Sequence, residues 1–387
     1  MTALRAGCLG AVLLSAAAFA DFGDPLPGLT ADELAAFAGG KVDFTEVETV
    51  AEGLGPVFNE ASCVACHAGP NGAVGGTNQR LETRFGRYSG KGTFDPLTAL
   101  GGSLLQDHSI GPNGNGHEYK AESVPSAANV VAQRRTTPLF GLGLVDATPA
   151  STFLTLALAQ AIVRPSIAGT PSMVTDPLTQ RAALGKFGWK AQVPSLFVFA
   201  GDAYLNEMGI TNPIFPNENC PQGDCAELQF NPLSTLNDDG EGVEKLAHFM
   251  TFLAPPPRGA QSFVTEYGNR VASAIGCLDC HTQTLRTGPN AVAALNEVVY
   301  HPFSDFLLHD MGSLGDGITQ NRATGRLIRT QPLWGLRTQT QLLHDGRAHT
   351  IVQAILAHDG QGRAARARFE RLSAVDRRAL LAFLQSL

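Results

Sequence analysis

Cys63-Val64-Ala65-Cys66-His67 and Cys277-Leu278-Asp279-Cys280-His281 are two copies of one five-residue pattern in a chain of 387 residues. Each puts two thiols on one short turn with an imidazole directly after them. That spacing suits covalent attachment of haem: the sulfurs add to the vinyl groups as thioethers, and the adjacent histidine meets the iron from the same side. A tetrahedral zinc site is the competing chemistry for paired cysteines with histidine. The pairs lie far apart and each already has its own histidine in haem spacing. The expectation is therefore two covalently bound haem c groups, held by Cys63, Cys66 and His67 and by Cys277, Cys280 and His281.

The start of the chain agrees with that chemistry. Arg5, the apolar residues 6–18 and Ala18-Phe19-Ala20 before Asp21 have the layout of a cleavable signal peptide over 1–20, which predicts a periplasmic product. No later run is long enough to span a membrane, since the most apolar one, residues 153–163, is interrupted by Thr155 and Gln160. The formal charge is −7, and removing Arg5 makes it −8, a balance that argues against nucleic acid as partner. Setting Cys8 aside leaves six cysteines in three close pairs. Cys220 and Cys225, with Pro221 and Gly223 between them and no histidine following, read as a local disulfide in an exported protein.

A repeat surrounds the two motifs. Residues 54–62 and 267–276 look like helical stretches leading into them. Downstream, Arg135-Thr136-Thr137-Pro138-Leu139-Phe140-Gly141-Leu142 matches Arg329-Thr330-Gln331-Pro332-Leu333-Trp334-Gly335-Leu336, and a looser match sets Trp189, Ser195 and Leu196 over His344, Thr350 and Ile351. Three anchors in one order argue for duplication. The prolines of Ala254-Pro255-Pro256-Pro257-Arg258-Gly259 mark a boundary between domains at 21–254 and 259–387. The fold class read from this is mainly α: two cytochrome c-like haem domains with long loops. Thr30-x-x-Glu33 and Ser373-x-x-Asp376 read as helix starts, the latter followed by Leu380, Leu381, Leu384 and Leu387 at helical spacing.

With Leu343-His344-Asp345-Gly346-Arg347-Ala348 added to the two haem motifs, the chain resembles the bacterial di-haem cytochrome c peroxidases. Ser304-Asp305-Phe306-Leu307-Leu308-His309-Asp310-Met311-Gly312, Phe187-Gly188-Trp189-Lys190-Ala191 and the stretch from Arg135 to Gly141 are similar to the di-haem oxidoreductase family, often labelled thiol oxidoreductases. The resemblance runs from about Leu54 to the end. It implies roles for particular residues. In the peroxidases a methionine fourteen residues beyond the histidine of the His-Asp-Gly motif ligates the second haem; fourteen residues beyond His344 stands His358. An imidazole there lowers a haem's potential relative to methionine. Thr350 can cap a helix through Ala357 that leaves His358 at its end, with Met311 and His309 as rival ligands.

By the same resemblance Trp189 falls between the haems, and Glu207-Met208 resembles a Glu-Met pair whose glutamate acts near bound peroxide, two residues short of the family spacing. His108 or His117 takes the place of a histidine that blocks the first iron. Arg135 and Arg329 suit haem propionates. The interdomain calcium of the superfamily meets Thr136 where its asparagine ligand stands. The function implied is peroxidase-like: a small electron donor, such as a c-type cytochrome or a cupredoxin, feeds the second haem, electrons cross near Trp189, and hydrogen peroxide is reduced at the first. Oxidation of a protein substrate, as in the related enzyme that matures methylamine dehydrogenase, and non-catalytic electron carriage are the alternatives. Thiol oxidation has no cysteine left to perform it.

Overall fold

The structure, a computed structural model, describes residues 21–69, 72–113, 116–233 and 235–387; the signal sequence expected at 1–20 lies outside them. Nine α-helices stand among the described residues: α1 (Ala31–Thr45), α2 (Leu142–Asp146), α3 (Ala150–Val163), α4 (Leu196–Met208), α5 (Glu241–Phe252), α6 (Phe263–Ala274), α7 (Ile351–Ala357), α8 (Arg363–Glu370) and α9 (Ala374–Leu384). Their starts are written in the sequence. Thr30 accepts from the Glu33 amide while the Glu33 carboxylate accepts from the Thr30 amide, a reciprocal cap. Ser195, Thr350 and Ser373 cap α4, α7 and α9 through their hydroxyls.

Strands are short. They form four two-stranded antiparallel pairs and one three-stranded sheet, in which Leu81–Tyr88 lies between Phe94–Asp95 and Val130–Arg135. The helix reading passed over this sheet for a physical reason. Along Val130–Arg135 the inward positions include Ala132 and Arg134, so a buried cation stands where alternation would show an apolar residue. A second expectation is corrected at residues 54–62. That stretch is no helix: a 3-10 turn at Val50–Glu52 and the strand Val57–Phe58 precede the first motif instead. Gly53, at φ +115°, and Pro56, which has no amide to donate, stop helical winding there.

Each haem motif is framed by two helices that cross at a glycine. α1 turns Phe37, Gly40 and Phe44 inward, and both aromatic rings pack on Phe249 of α5, at 5.3 and 4.7 Å between centroids. A Cβ on Gly40 would sit 2.1 Å from the Lys245 carbonyl oxygen of α5. α6 repeats the device before the second motif: a Cβ on Gly268 would lie 1.9 Å from the Ala379 carbonyl oxygen of α9. The chain on either side of these pairs also meets. Leu26 N–H donates to the Phe252 carbonyl at 2.7 Å and Ala254 N–H to that of Asp24 at 2.9 Å, while Gly259 N–H donates to the Ser386 carbonyl at 2.9 Å. Two apolar cores result. The larger runs from Leu26 through α1, α2, α4 and α5 and takes in Leu285, Leu295, Tyr300, Phe306 and Trp334; the smaller surrounds α6 and α9.

The repeated segments clasp one another. Residues 187–193 and 342–348 are both loops closed by an antiparallel bridge, Phe187 to Val193 and Leu342 to Ala348. Arg135 N–H donates to the His344 carbonyl at 2.7 Å, and Arg329 N–H to the Trp189 carbonyl at 2.9 Å, so each copy of the arginine motif binds the loop of the other copy. The aligned Trp189 and His344 rings then meet edge to face, 6.2 Å apart.

Gly40→Ala and Gly268→Ala are expected to lose about 1–3 kcal/mol each, because added carbon meets backbone that cannot yield without separating the helices. Gly39→Ala is the control, since a Cβ there meets nothing within 4 Å. Denaturant midpoints of the three variants check this; a Gly268→Ala protein as stable as the Gly39→Ala protein contradicts the close crossing.

Candidate functional site

His281 is presented by a turn. Cys277–Asp279 forms a single 3-10 turn after α6, and His281 N–H donates back to the Cys277 carbonyl at 3.0 Å. The imidazole Nδ1 lies 2.9 Å from the Phe303 carbonyl oxygen, so Nδ1 carries the proton and Nε2 keeps a free lone pair. His358, the residue that ends α7, is fixed alike: its Nδ1 is 2.7 Å from the Ala354 carbonyl oxygen. Burial holds both rings neutral, bringing His281 to about 4 and lowering His358, and His358 itself disfavours a charge on His281. Two neutral imidazoles with Nε2 unengaged thus share one space.

That space is a cavity of about 570 Å³, in the range of cofactor sites, lined by Cys277, Cys280, His281 and His358 with apolar side chains such as Leu333, Leu342 and Ile355. Arg135, Thr136 and Trp189 from the first half reach the same cavity. Trp189 Nε1–H donates to the Arg135 carbonyl at 2.7 Å, which joins the two. Arg329 and Arg135 both line it, buried. Neither makes an ion pair among the described residues. Arg329 donates to the Gly188 carbonyl and Gln331 Oε1, both at 2.7 Å; Arg135 donates to Gln339 Oε1 at 2.6 Å and to the Gln341 carbonyl, and its Nε has no partner. Burial lowers both guanidinium groups to about 10. A cation buried against neutral acceptors costs several kcal/mol, which an anion brought into the cavity would offset.

The rival ligands separate. Met311 lines the cavity. His309 lines it too, but both ring nitrogens are engaged: Nε2 is 3.0 Å from Asp305 Oδ2 and Nδ1 is 3.6 Å from Cys280 Sγ. Although burial pulls the other way, Asp305 holds His309 well above the usual range. Cys280, Asp305 and His309 are also the one group of three with metal-ligand proximity among the described residues, so the two motifs do not converge on a common zinc. Burial raises the Cys277 thiol to about 12.

The first motif repeats the turn at Cys63–Ala65, with His67 N–H donating to the Cys63 carbonyl at 2.9 Å. The His67 ring stands against Phe44, 5.8 Å between centroids, and burial brings it to about 4. Burial raises Cys63 and Cys66 to about 12, and the Glu207 carboxylate is near enough to add to both shifts. Glu207 sits in the last turn of α4, where Asn59 Nδ2–H donates to its Oε2 at 2.8 Å. Burial, then the Glu82 charge, raise its carboxyl to about 7. Glu207 therefore belongs with the first motif, whereas Trp189 borders the second cavity. Thr136 touches both, lining that cavity and hydrogen-bonding the Cys66 thiol. His108 is half exposed, stacked on Phe58 and 2.7 Å from Asp107 Oδ1. His117 stacks on Phe230 and pairs with Glu227 Oε2 at 2.9 Å. Cys220 and Cys225 are joined as a disulfide.

Sequence reasoning missed the ionic groups between the halves. Asp316 Oδ2 lies 2.6 Å from Arg134 Nη2, and its Oδ1 lies 2.8 Å from Lys190 Nζ. The buried Lys190 ammonium also donates to the Leu327 and Thr324 carbonyls at 2.7 and 3.0 Å. Within the first half, Arg84 pairs with Glu82 at 3.0 Å, near enough to Glu207 and Asp202 for their charges to act on it, and burial raises Asp202 to about 6. Lys190 follows Trp189 directly, and that adjacency is the signal available in sequence.

Two Cys-x-x-Cys-His turns, with a second histidine and two buried arginines lining the cavity of one of them, fit a di-haem protein of the oxidoreductase class. The chain belongs to the family described as "Di-haem oxidoreductase, putative peroxidase", which matches residues 120–387 and so includes the second motif but not the first. No curated protein sequence matches it. Among solved structures it is similar to hydrazine synthase of Kuenenia stuttgartiensis (13% identity, 100% of this chain and 98% of that one, TM-score 0.41). It is also similar to a MauG-like protein associated with microbial copper homeostasis (12%, 94% and 93%, 0.41) and to the dihaem peroxidase BthA of Burkholderia thailandensis (15%, 94% and 87%, 0.39). Likeness of this strength assigns no activity.

Asp316→Asn keeps the shape of the side chain but leaves Arg134 and Lys190 buried without their anion. It is expected to lose about 3–5 kcal/mol in denaturant unfolding; a change under about 1 kcal/mol goes against this ion cluster as the tie between the halves.

Proposed function

We propose that this protein is a periplasmic di-haem c oxidoreductase that reduces hydrogen peroxide with electrons from a small redox protein, after removal of residues 1–20. Haem c is attached at Cys63 and Cys66, with His67 as ligand, in a domain over 21–254, and at Cys277 and Cys280, with His281 and His358 as ligands, in a domain over 259–387. The observation that carries the reading is the pair of neutral imidazoles, His281 and His358, facing one cavity beside two buried arginines without anions. The haems, when bound, supply the redox chemistry.

The protein's own groups do the rest. Arg135 and Arg329 hold propionates through forked, charge-assisted hydrogen bonds. Backbone carbonyls of Phe303 and Ala354 fix the tautomers that turn Nε2 of His281 and His358 inward. Trp189, tied to Arg135 and against His344, lies on the route between the halves. Asn59 fixes Oε2 of Glu207, leaving Oε1 to take a proton from peroxide and return it to the departing oxygen. A carboxyl raised to about 7 can do both near neutrality. No helix among the described residues is long and apolar enough to cross a membrane.

The direct test is the purified, haem-loaded chain. Mass spectrometry is expected to find two covalent haems, and EPR to find one centre with two imidazole ligands that His358→Ala converts to high spin. Peroxide must be consumed when a reductant is present; a protein with both centres low-spin in every redox state and inert to peroxide is a carrier, and the proposal falls.

Glu207→Gln is expected to lower kcat/KM for peroxide about 100- to 10,000-fold. The pH dependence has a definite sign. Glu207 accepts a proton only as the carboxylate, so with its carboxyl raised to about 7 the wild-type rate climbs as pH rises through about 7 and falls below it. The Glu207→Gln protein should be slow and lack that step. A wild-type profile flat from pH 5 to 8 removes Glu207 from the reaction.

A further inference from the structure

α3 contains no charged residue, and one of its faces has no cover among the described residues. Leu154, Leu158 and Ile162, four residues apart and so on one stripe, are 43%, 61% and 72% exposed, and Val163 is 73% exposed. The opposite face is occupied: Phe153 and Ala157 are buried, and Gln160 donates to the Asp279 carbonyl and to Asp305 beside the second motif. The bare stripe leads to the second cavity, whose edge is made by Val163, Arg164 and Ile167 on one side and Arg366 and Arg368 on the other. Gln361 Nε2–H donates to the Ala168 carbonyl at 2.9 Å and ties the two edges together.

Charge on this edge opposes that of the whole molecule. Residues 363–378 hold six arginines against Glu370 and Asp376, a local excess of six minus two, or +4, in a chain of net −7. Arg363 pairs with Asp359 and Arg366 reaches Glu370 at 4.0 Å, but Arg368 and Arg371 have no carboxylate partner among the described residues. Arg164 on the facing edge pairs with Asp279, so the rim carries carboxylates as well, with arginines in excess. An apolar strip with a net basic rim suits a transient encounter, in which the rim steers and the strip seats the partner. A second copy of this chain fits poorly, because a symmetric contact would set one arginine rim against the other.

We propose that the exposed face of α3, with the arginine rim of α8, is the docking site of an acidic one-electron redox protein. The partner loses one electron as the iron held at His281 gains one, and no proton moves. This rests on reading the cavity as a haem site. The local field, not the total charge of −7, selects the partner.

The test uses the full haem-loaded protein, chemically reduced, with two oxidised probes, an acidic plastocyanin and a basic mitochondrial cytochrome c, so that transfer through the same contact runs downhill from a haem with two imidazole ligands. Stopped-flow absorbance follows it at two ionic strengths. Plastocyanin should react at least tenfold faster than the cytochrome at low salt and lose that advantage at high salt. Leu158→Glu and Arg363→Glu should each slow plastocyanin about tenfold or more, while oxidation by a small cobalt(III) complex, which needs no docking, stays at the wild-type rate. NMR shifts of copper(I) plastocyanin on adding the protein report binding independently of electron transfer. Shifts without electron transfer keep the docking site and sink the haem reading; haem oxidation by plastocyanin that neither variant nor salt alters overturns the docking site. So does sedimentation of the wild type as a dimer that Leu158→Glu dissociates, because the face then belongs to a second copy.

Discussion

Two backbone hydrogen bonds, Arg135 to His344 and Arg329 to Trp189, hold each repeat in the loop of the other, and the candidate site follows from that exchange. A segment from the first half is carried into the wall of a cavity built around the second motif. Its arginine is thereby buried without an anion, its threonine reaches back to Cys66, and its carbonyl receives the Trp189 indole. None of these positions is available to a half folded by itself. Asp316, between Arg134 and Lys190, supplies the charge that makes the interlock tolerable in a buried place.

The two haem sites are unlike because their surroundings are. Around the second motif stand two neutral imidazoles, two buried arginines without ion-pair partners among the described residues, and a His309–Asp305 pair, an environment suited to an anion. Around the first, burial raises Glu207 and Asp202 near an Arg84–Glu82 pair, an environment that holds protons near neutrality. The proposed division between electron relay and chemistry rests on these two kinds of electrostatics.

Much of this was legible in the sequence because it depended on short-range rules. The turn geometry of both Cys-x-x-Cys-His motifs, the caps at Thr30, Thr350 and Ser373, and the place of His358 at the end of α7 follow from spacing within a few residues. The three-stranded sheet was not legible, since Arg134 occupies an inward position and is satisfied by Asp316, 182 residues away. The side on which Trp189 lies was hidden for a similar reason: its neighbours come from Arg135 and His344, and only the folded chain shows which cavity they enclose. The helix expected at residues 54–62 failed because Gly53 and Pro56 outweigh the apolar residues around them.

The pairing of residues 24–26 with 252–254, and of Gly259 with Ser386, means that the entrance and exit of each half lie side by side. A gene segment encoding such a unit can be copied head to tail without any new structure to bring the copies together, because each begins where its predecessor finished. The stiff connector at residues 255–258 is all the joining the fold requires. Side-chain differences alone then separate the two cradles, one lined by raised carboxyls and the other by neutral imidazoles.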